Sequence, residues 1–193
     1  VASYLLPSLE GITDLDYVLA QYEGEISYAD SQLGRLVAAV PENTLIVVIG
    51  DHGESLGEHG VWFNHGDDLY ETSLHVPFVM HWRGKLDPAV VSAPVEGSDL
   101  APTVLARLGL PRAGMTGRDA LSEPRETAAS MCFDRETNLA ERKAGLIVAP
   151  KWRLASFRGE SERWMQQERS GEQRRFDLAA DPLGLTAVPE GAL

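Results

Sequence analysis

Thr44-Leu-Ile-Val-Val-Ile-Gly50-Asp51-His52-Gly-Glu54-Ser-Leu-Gly-Glu-His59-Gly60 decides how the rest of the chain is read. Its first seven residues, Thr44 to Gly50, form a short apolar run rich in β-branched side chains and closed by glycine, which predicts a buried strand. Both faces are apolar, as expected of a central parallel strand covered by helices. Directly after it come a carboxylate, an imidazole and a second carboxylate: Asp51, His52 and Glu54. Ligands of open α/β sheets bind beyond the carboxyl ends of strands, and hard oxygen and imidazole donors there suit a divalent cation. A plain strand-to-loop turn, with Asp51 on backbone amides and His52 half exposed, is the alternative.

The flanking sequence supplies an α/β unit. Leu15, Val18, Leu19, Tyr22, Ile26, Ala29, Leu33, Leu36 and Val37 recur at helical steps. The helix begins at Thr13 or Asp14, with Asp14 and Asp16 at its positive end and Arg35 near its negative end. Pro41-Glu-Asn43 turns into the strand. Residues 53–75 hold four glycines, His59, His65 and His75, and Trp62, Phe63 and Tyr70. So long a loop in a compact domain is functional or disordered, and its aromatic content favours an ordered one. His75-Val-Pro77-Phe-Val-Met-His81-Trp82 predicts a second strand, with Pro77 near its start. Ser98 or Asp99 is expected to cap a helix running to Leu108, with Pro102 in the first turn and Gly109 past the end.

The texture changes near Pro111. Residues 111–127 are rich in Gly, Pro and Arg and read as a crossing linker. Short alternating runs follow at Ala128–Phe133, Gly145–Ala149, Trp152–Phe157 and Arg174–Leu178, with a helical or disordered insert near 160–170. They predict a small antiparallel sheet. The expected division is therefore an α/β part over 1–115 and a small β subdomain over 116–193.

Composition narrows the function. The 193 residues are 44% apolar, enough for a sizeable core. Lys and Arg number 17 against 29 Asp and Glu, a net charge of -12. Such a field repels phosphates, which argues against nucleic acid or an anionic membrane surface as partner. An anionic substrate would need a local cation. Cys132 is the sole cysteine, so the chain forms no internal disulfide and no thiolate cluster. No stretch has the length of a membrane span. The compartment is left open.

Several spaced motifs together resemble the sulfatases of the alkaline phosphatase superfamily. They are Thr44–Glu54, Leu56-Gly-Glu-His59-Gly, Leu69-Tyr70-Glu71 and Val76-Pro77-Phe-Val. Outside that core the likeness continues in Glu25-Ile26, Tyr28, Asp30 and Leu33-Gly34-Arg35-Leu36, and in Ser98-Asp99-Leu-Ala-Pro102-Thr103 with Leu108-Gly109-Leu110-Pro111. It closes with Lys151-Trp152-Arg-Leu154, Phe176-Asp177-Leu178 and Asp181-Pro182. The resemblance implies an α/β fold: part of an alkaline-phosphatase-like, mainly parallel sheet flanked by helices, then a small C-terminal antiparallel sheet. It also implies a hydrolase of sulfate monoesters, acting on a small-molecule or saccharide ester.

By the same resemblance Asp51 and His52 stand where sulfatases place two ligands of one divalent cation, calcium in most members. Histidine in the second position makes a transition metal more plausible; Mn2+, Mg2+ and Zn2+ are the alternatives to calcium. His65 stands where many sulfatases carry a lysine on the sulfate. There it would be both catalytic and substrate-binding, holding the anion as an imidazolium or protonating the leaving oxygen. Packing of its ring on Trp62 or Phe63 is the structural alternative. His59 suits a hydrogen bond that fixes the loop, His75 and His81 suit structural places in the strand, and Glu54 suits a partner orienting His52 or a solvated carboxylate.

One departure is as informative as the match. The family's nucleophile is a formylglycine made in a Cys/Ser-x-Pro/Ala-x-Arg motif well before the Asp-His segment, and no such motif occurs here. Cys132-Phe-Asp-Arg135 and Ser122-Glu-Pro124-Arg125 lie after that segment and break the pattern. The chain is therefore expected to be the C-terminal portion of a longer enzyme, inactive alone, with unpaired edges that promote self-association as a homo-oligomer. Two other readings remain: a phosphodiesterase, phosphonate hydrolase or phosphotransferase of the same superfamily, and a non-catalytic fragment.

Overall fold

The computed structural model describes residues 10–65, 68–133, 152–158, 162–167, 173–181 and 187–189. The chain divides into two compact units, Val1–Asn64 with His75–Ala89, and His65–Leu74 with Val90–Leu193.

The first unit opens with α1, Leu15–Ala39. Asp14 caps it by accepting from the Asp16 amide at 3.0 Å. The helix stops where Pro41 forces the preceding Val40 into an extended conformation (φ -83°, ψ 151°). Arg35 falls short of the last turn, which holds no basic residue. None of the residues of α1 is buried, although Tyr22, Ile26, Tyr28, Leu36 and Val37 line it.

Strand β1, Ile46–Ile49, pairs with β4, Phe78–His81, in the register Ile46↔His81 to Ile49↔Phe78. The pair is antiparallel, and no parallel pair occurs among the described residues. Apolar side chains on both faces of β1 report what covers a sheet; they do not fix the direction of the neighbouring strand. Around the turn before β1, Trp82 donates to Asn43 at 3.2 Å and Arg83 to Glu42 at 2.6 Å. Those bonds fasten the start of β1 to the end of β4.

Between these strands lie β2, Ser55–Leu56, and β3, Trp62–Asn64, a short antiparallel ladder with an irregular register. In the second unit come the short helix α2, Glu71–Leu74, and then α3, Leu100–Arg107, entered through a 3-10 turn at Gly97–Asp99. Asp99 stands at the N-cap position of α3, as expected, but its side chain makes no cap bond to that helix. Glu96 caps the 3-10 turn before it, its amide donating to Asp99 Oδ2 at 3.0 Å, which turns the Asp99 carboxylate back along the chain. Gly109 ends α3 at a φ of 67°, where glycine is favoured, and Leu110 donates to the Leu105 carbonyl at 2.9 Å.

The segment read as a linker packs on α3 instead. Thr103, wholly buried, donates to the Asp99 carbonyl at 2.6 Å and accepts from the Ala120 amide at 2.9 Å. Arg107 donates to Asp119, which also accepts from Ser122 Oγ at 2.6 Å. A sequence rich in Gly, Pro and Arg can fold tightly when buried carboxylates receive its amides and guanidinium groups.

Strands β5 (Ala128–Phe133), β6 (Trp152–Arg158), β7 (Glu162–Gln167) and β8 (Gln173–Asp177) form an antiparallel sheet in sequence order. Ser130, Ser156, Met165 and Arg174 lie in one row across it. The insert expected near 160–170 is thus a strand. Polar β7 has little apolar alternation to announce it, but pairs with a neighbour on each side, and that context overrides propensity. The run Gly145–Ala149 lies outside the described residues. On the far side of β8 the Val188 amide donates to the Arg175 carbonyl at 2.8 Å.

Candidate active site

Gly50 delivers the site residues from β1. Its amide continues the ladder to the Pro77 carbonyl at 3.1 Å, and a Cβ there would stand 3.0 Å from Val76 Cβ. The glycine that ends the apolar run therefore permits a close approach of the two strands.

One residue further on, Asp51 Oδ1 accepts from the His52 amide at 3.0 Å, while Oδ2 lies 3.8 Å from His52 Nε2. His52 Nδ1 donates to the Gly53 carbonyl at 2.8 Å. A carbonyl can only accept, so Nδ1 carries the hydrogen and the lone pair of the neutral ring sits on Nε2, the nitrogen facing Asp51. Both side chains are exposed. The sequence-predicted pair is thus adjacent in space as well as in sequence. Sequence reasoning missed the Gly53 carbonyl, because backbone acceptors leave no residue-type signal.

This donor set fits two ligands of one divalent cation. Two donors share an ion only when they lie closer than the sum of two coordination bonds, about 4.6 Å for calcium, and 3.8 Å satisfies that. Among the described residues no group of three or more His, Cys, Asp or Glu is arranged to hold a metal. Asp51 and His52 supply two donors, fewer than a divalent cation takes.

The loop after the pair is tightly built. His59 (φ 55°) and Phe63 (φ 47°) are left-handed, a costly conformation for such side chains. Gly57 is required at φ 130°: the Trp62 ring would lie 2.5 Å from an added Cβ. Trp62 and Phe63 stand 6.0 Å apart between ring centroids. Glu54 Oε1 and His59 Nε2 are buried in this loop, whereas His75 and His81 are exposed.

His65 belongs to the second unit and is half-buried. Three residues on, buried Asp68 accepts at 3.1 Å from the amide of Tyr70, the residue before α2. Leu69 joins Phe176 and Leu178 in a buried apolar cluster on which Tyr70, Leu74 and Ala187 pack. The Tyr70 and Phe176 rings meet edge-on, 6.1 Å between centroids.

A second polar centre surrounds Asp99. Arg125 Nε donates to Asp99 Oδ2 at 2.8 Å and its Nη2 donates to Oδ1, which also accepts from the Arg118 amide at 2.7 Å. Arg125 Nη2 also lies 3.3 Å from Glu96 Oε2. Burial pushes the Asp99 carboxyl up, but the Arg125 hydrogen bond, the Arg118 and Glu96 amides and the Arg125 charge hold it below the ordinary value. Ser122 and Arg125, the near match to a nucleophile motif, are thus engaged by Asp119 and Asp99.

The molecule has an α/β fold, and comparison with known proteins extends that to a family. The Sulfatase family model matches residues 9–110, more than half of the chain. The chain belongs to the sulfatase family. An arylsulfatase of Clostridium perfringens is 31% identical over 86% of this chain and 35% of its own length. The chain spans about a third of the length of the curated relatives it matches. Among solved structures, an enzyme in complex with its substrate D-glucosamine-2-N,6-O-disulfate superposes with a TM-score of 0.64. It is 19% identical, with 86% of this chain and 35% of that one covered, and so shares the fold. A phosphonate monoester hydrolase from Silicibacter pomeroyi gives a TM-score of 0.60 at 26% identity, covering 79% of this chain and 35% of its own. No helix among the described residues is long and apolar enough to cross a membrane.

Proposed function

We propose that these residues form the C-terminal portion of a sulfatase-like hydrolase that cleaves sulfate monoesters, a saccharide or other small-molecule ester, at a divalent-cation site. The observation that carries this reading is the approach of Asp51 Oδ2 to His52 Nε2, with the imidazole tautomer fixed by Gly53. Asp51 and His52 would hold the cation, calcium first, with Mn2+, Mg2+ or Zn2+ as alternatives. A bound cation neutralises charge on the transferring group. His65 would bind the sulfate as an imidazolium or protonate the leaving oxygen as the S–O bond breaks. The nucleophile, a formylglycine by family resemblance, and the remaining cation ligands would be supplied by sequence outside these 193 residues.

On this reading β1 and β4 belong to a larger, mainly parallel sheet, and the chain alone is inactive and self-associates. The absence of buried residues on α1 and the exposure of Val79 on β4 support that. The test is hydrolysis of an aryl sulfate by the full-length protein. Turnover should fall in Asp51→Ala and in His65→Ala; turnover untouched by either would count decisively against the reading.

A second reading, phosphonate or phosphodiester hydrolysis on the same scaffold, is favoured by the likeness to the phosphonate monoester hydrolase. Preference for a phosphonate monoester over a sulfate ester in the same assay selects it.

A further inference from the structure

We infer that the C-terminal sheet is a positioning element for His65, acting through Phe176 on Tyr70. This rests on the role proposed for His65 above and adds the residues that set its place.

The segment carrying His65 clusters with the β5–β8 unit, not with the unit that carries Asp51 and His52. Its anchors are specific. Asp68 is buried and accepts from the amide of Tyr70, the residue before α2. Leu69 is buried with Phe176 and Leu178, and Phe176 on β8 is only 2% exposed. The edge of the Phe176–Tyr70 pair is set at an interplanar angle of 87°, a geometry with its own preference beyond burial. His65 is three residues from Asp68, so its backbone lies within about 11 Å of a fixed point. α2 is a single turn and cannot hold itself in water. Phe176 on β8 and Leu178 just after it supply the missing packing, against Leu69, Tyr70 and Leu74. Phe176 and Leu178 touch no substrate on this account; they act through α2.

The test uses the full-length enzyme on two esters, phenyl sulfate with a poor leaving group and nitrophenyl sulfate with a good one. A displaced proton donor harms the poor leaving group more. Phe176→Ala should lower kcat on phenyl sulfate by roughly 100-fold, the scale for a misplaced catalytic group, and on nitrophenyl sulfate far less. Phe176→Leu should restore most of the loss. In a His65→Ala background, Phe176→Ala should leave the ratio of the two rates unchanged. Equal losses on both esters mean that Phe176 only keeps enzyme folded, which overturns the inference while the role of His65 stands. Should Phe176→Ala fail to accumulate, Tyr70→Leu replaces it with the same two outcomes. A His65→Ala enzyme with both rates intact removes the role of His65, and the inference with it.

Discussion

Asp99 and Arg125, 26 residues apart in sequence, meet in a two-pronged ion pair with the carboxylate only 1% exposed. The pair joins the entry of α3 to the residues before β5. Removing one partner of a buried pair leaves the other charged and unsolvated, at a cost of about 3–5 kcal/mol. Arg125→Ala in the full-length protein should therefore lower the denaturant midpoint sharply. Lysine at this position should recover only part, because it cannot donate two parallel bonds. A midpoint unchanged by Arg125→Ala would show that Asp99 is satisfied without it.

The same pair gives the acid limb of stability a sign. The folded Asp99 carboxyl titrates below its ordinary value of 3.8. Its contribution is therefore full above that value and is lost as pH falls through the lower, folded one. Without Arg125, burial acts with less opposition and raises the carboxyl. The stability deficit of Arg125→Ala should then be largest near neutrality and shrink below pH 3.8. Unfolding curves of both proteins across that range check it; a deficit independent of pH would contradict the electrostatic origin.

Two glycines should resist substitution for different reasons. A Cβ on Gly117 would stand 1.9 Å from the Ser98 carbonyl oxygen, so Gly117→Ala must displace backbone beside the Arg118–Asp99 bond. Gly57→Ala meets the Trp62 ring and a left-handed φ of 130° together. Each should cost about 1–3 kcal/mol. Gly24→Ala, on an exposed face of α1 with open space around it, should be neutral or stabilising by up to about 1 kcal/mol. Thermal midpoints of the three variants rank them.

How much of this could be read without coordinates depends on which interaction decides each feature. Local interactions fix α1: the Asp14 cap, the apolar period and Pro41 are all in the sequence, and its start and end follow from them. β1 and β4 were legible as apolar runs, whereas their antiparallel pairing was not, because partner direction is not encoded in either strand. β7 was missed because a polar strand with neighbours on both sides needs no apolar alternation of its own. Asp51 and His52 are singled out by donor type at a strand end, and the structure places both just beyond β1. The Asp99–Arg125 centre was not legible, since a carboxylate before an apolar run has the appearance of a helix cap, and nothing local points to an arginine far along the chain. Only the Glu96-x-x-Asp99 spacing offered a clue, as a capping box.

Calcium binding to the metal-stripped full-length enzyme, followed by titration calorimetry, bears most directly on the strand-end pair. Wild-type protein should take up one ion per chain, and Asp51→Asn and His52→Ala should each weaken uptake by roughly 100-fold or more, at least the loss seen when residues supporting a metal ligand are removed. Equal affinity in the wild type and both variants, for calcium and for Mn2+, Mg2+ and Zn2+ alike, would contradict the assignment of Asp51 and His52 as cation ligands.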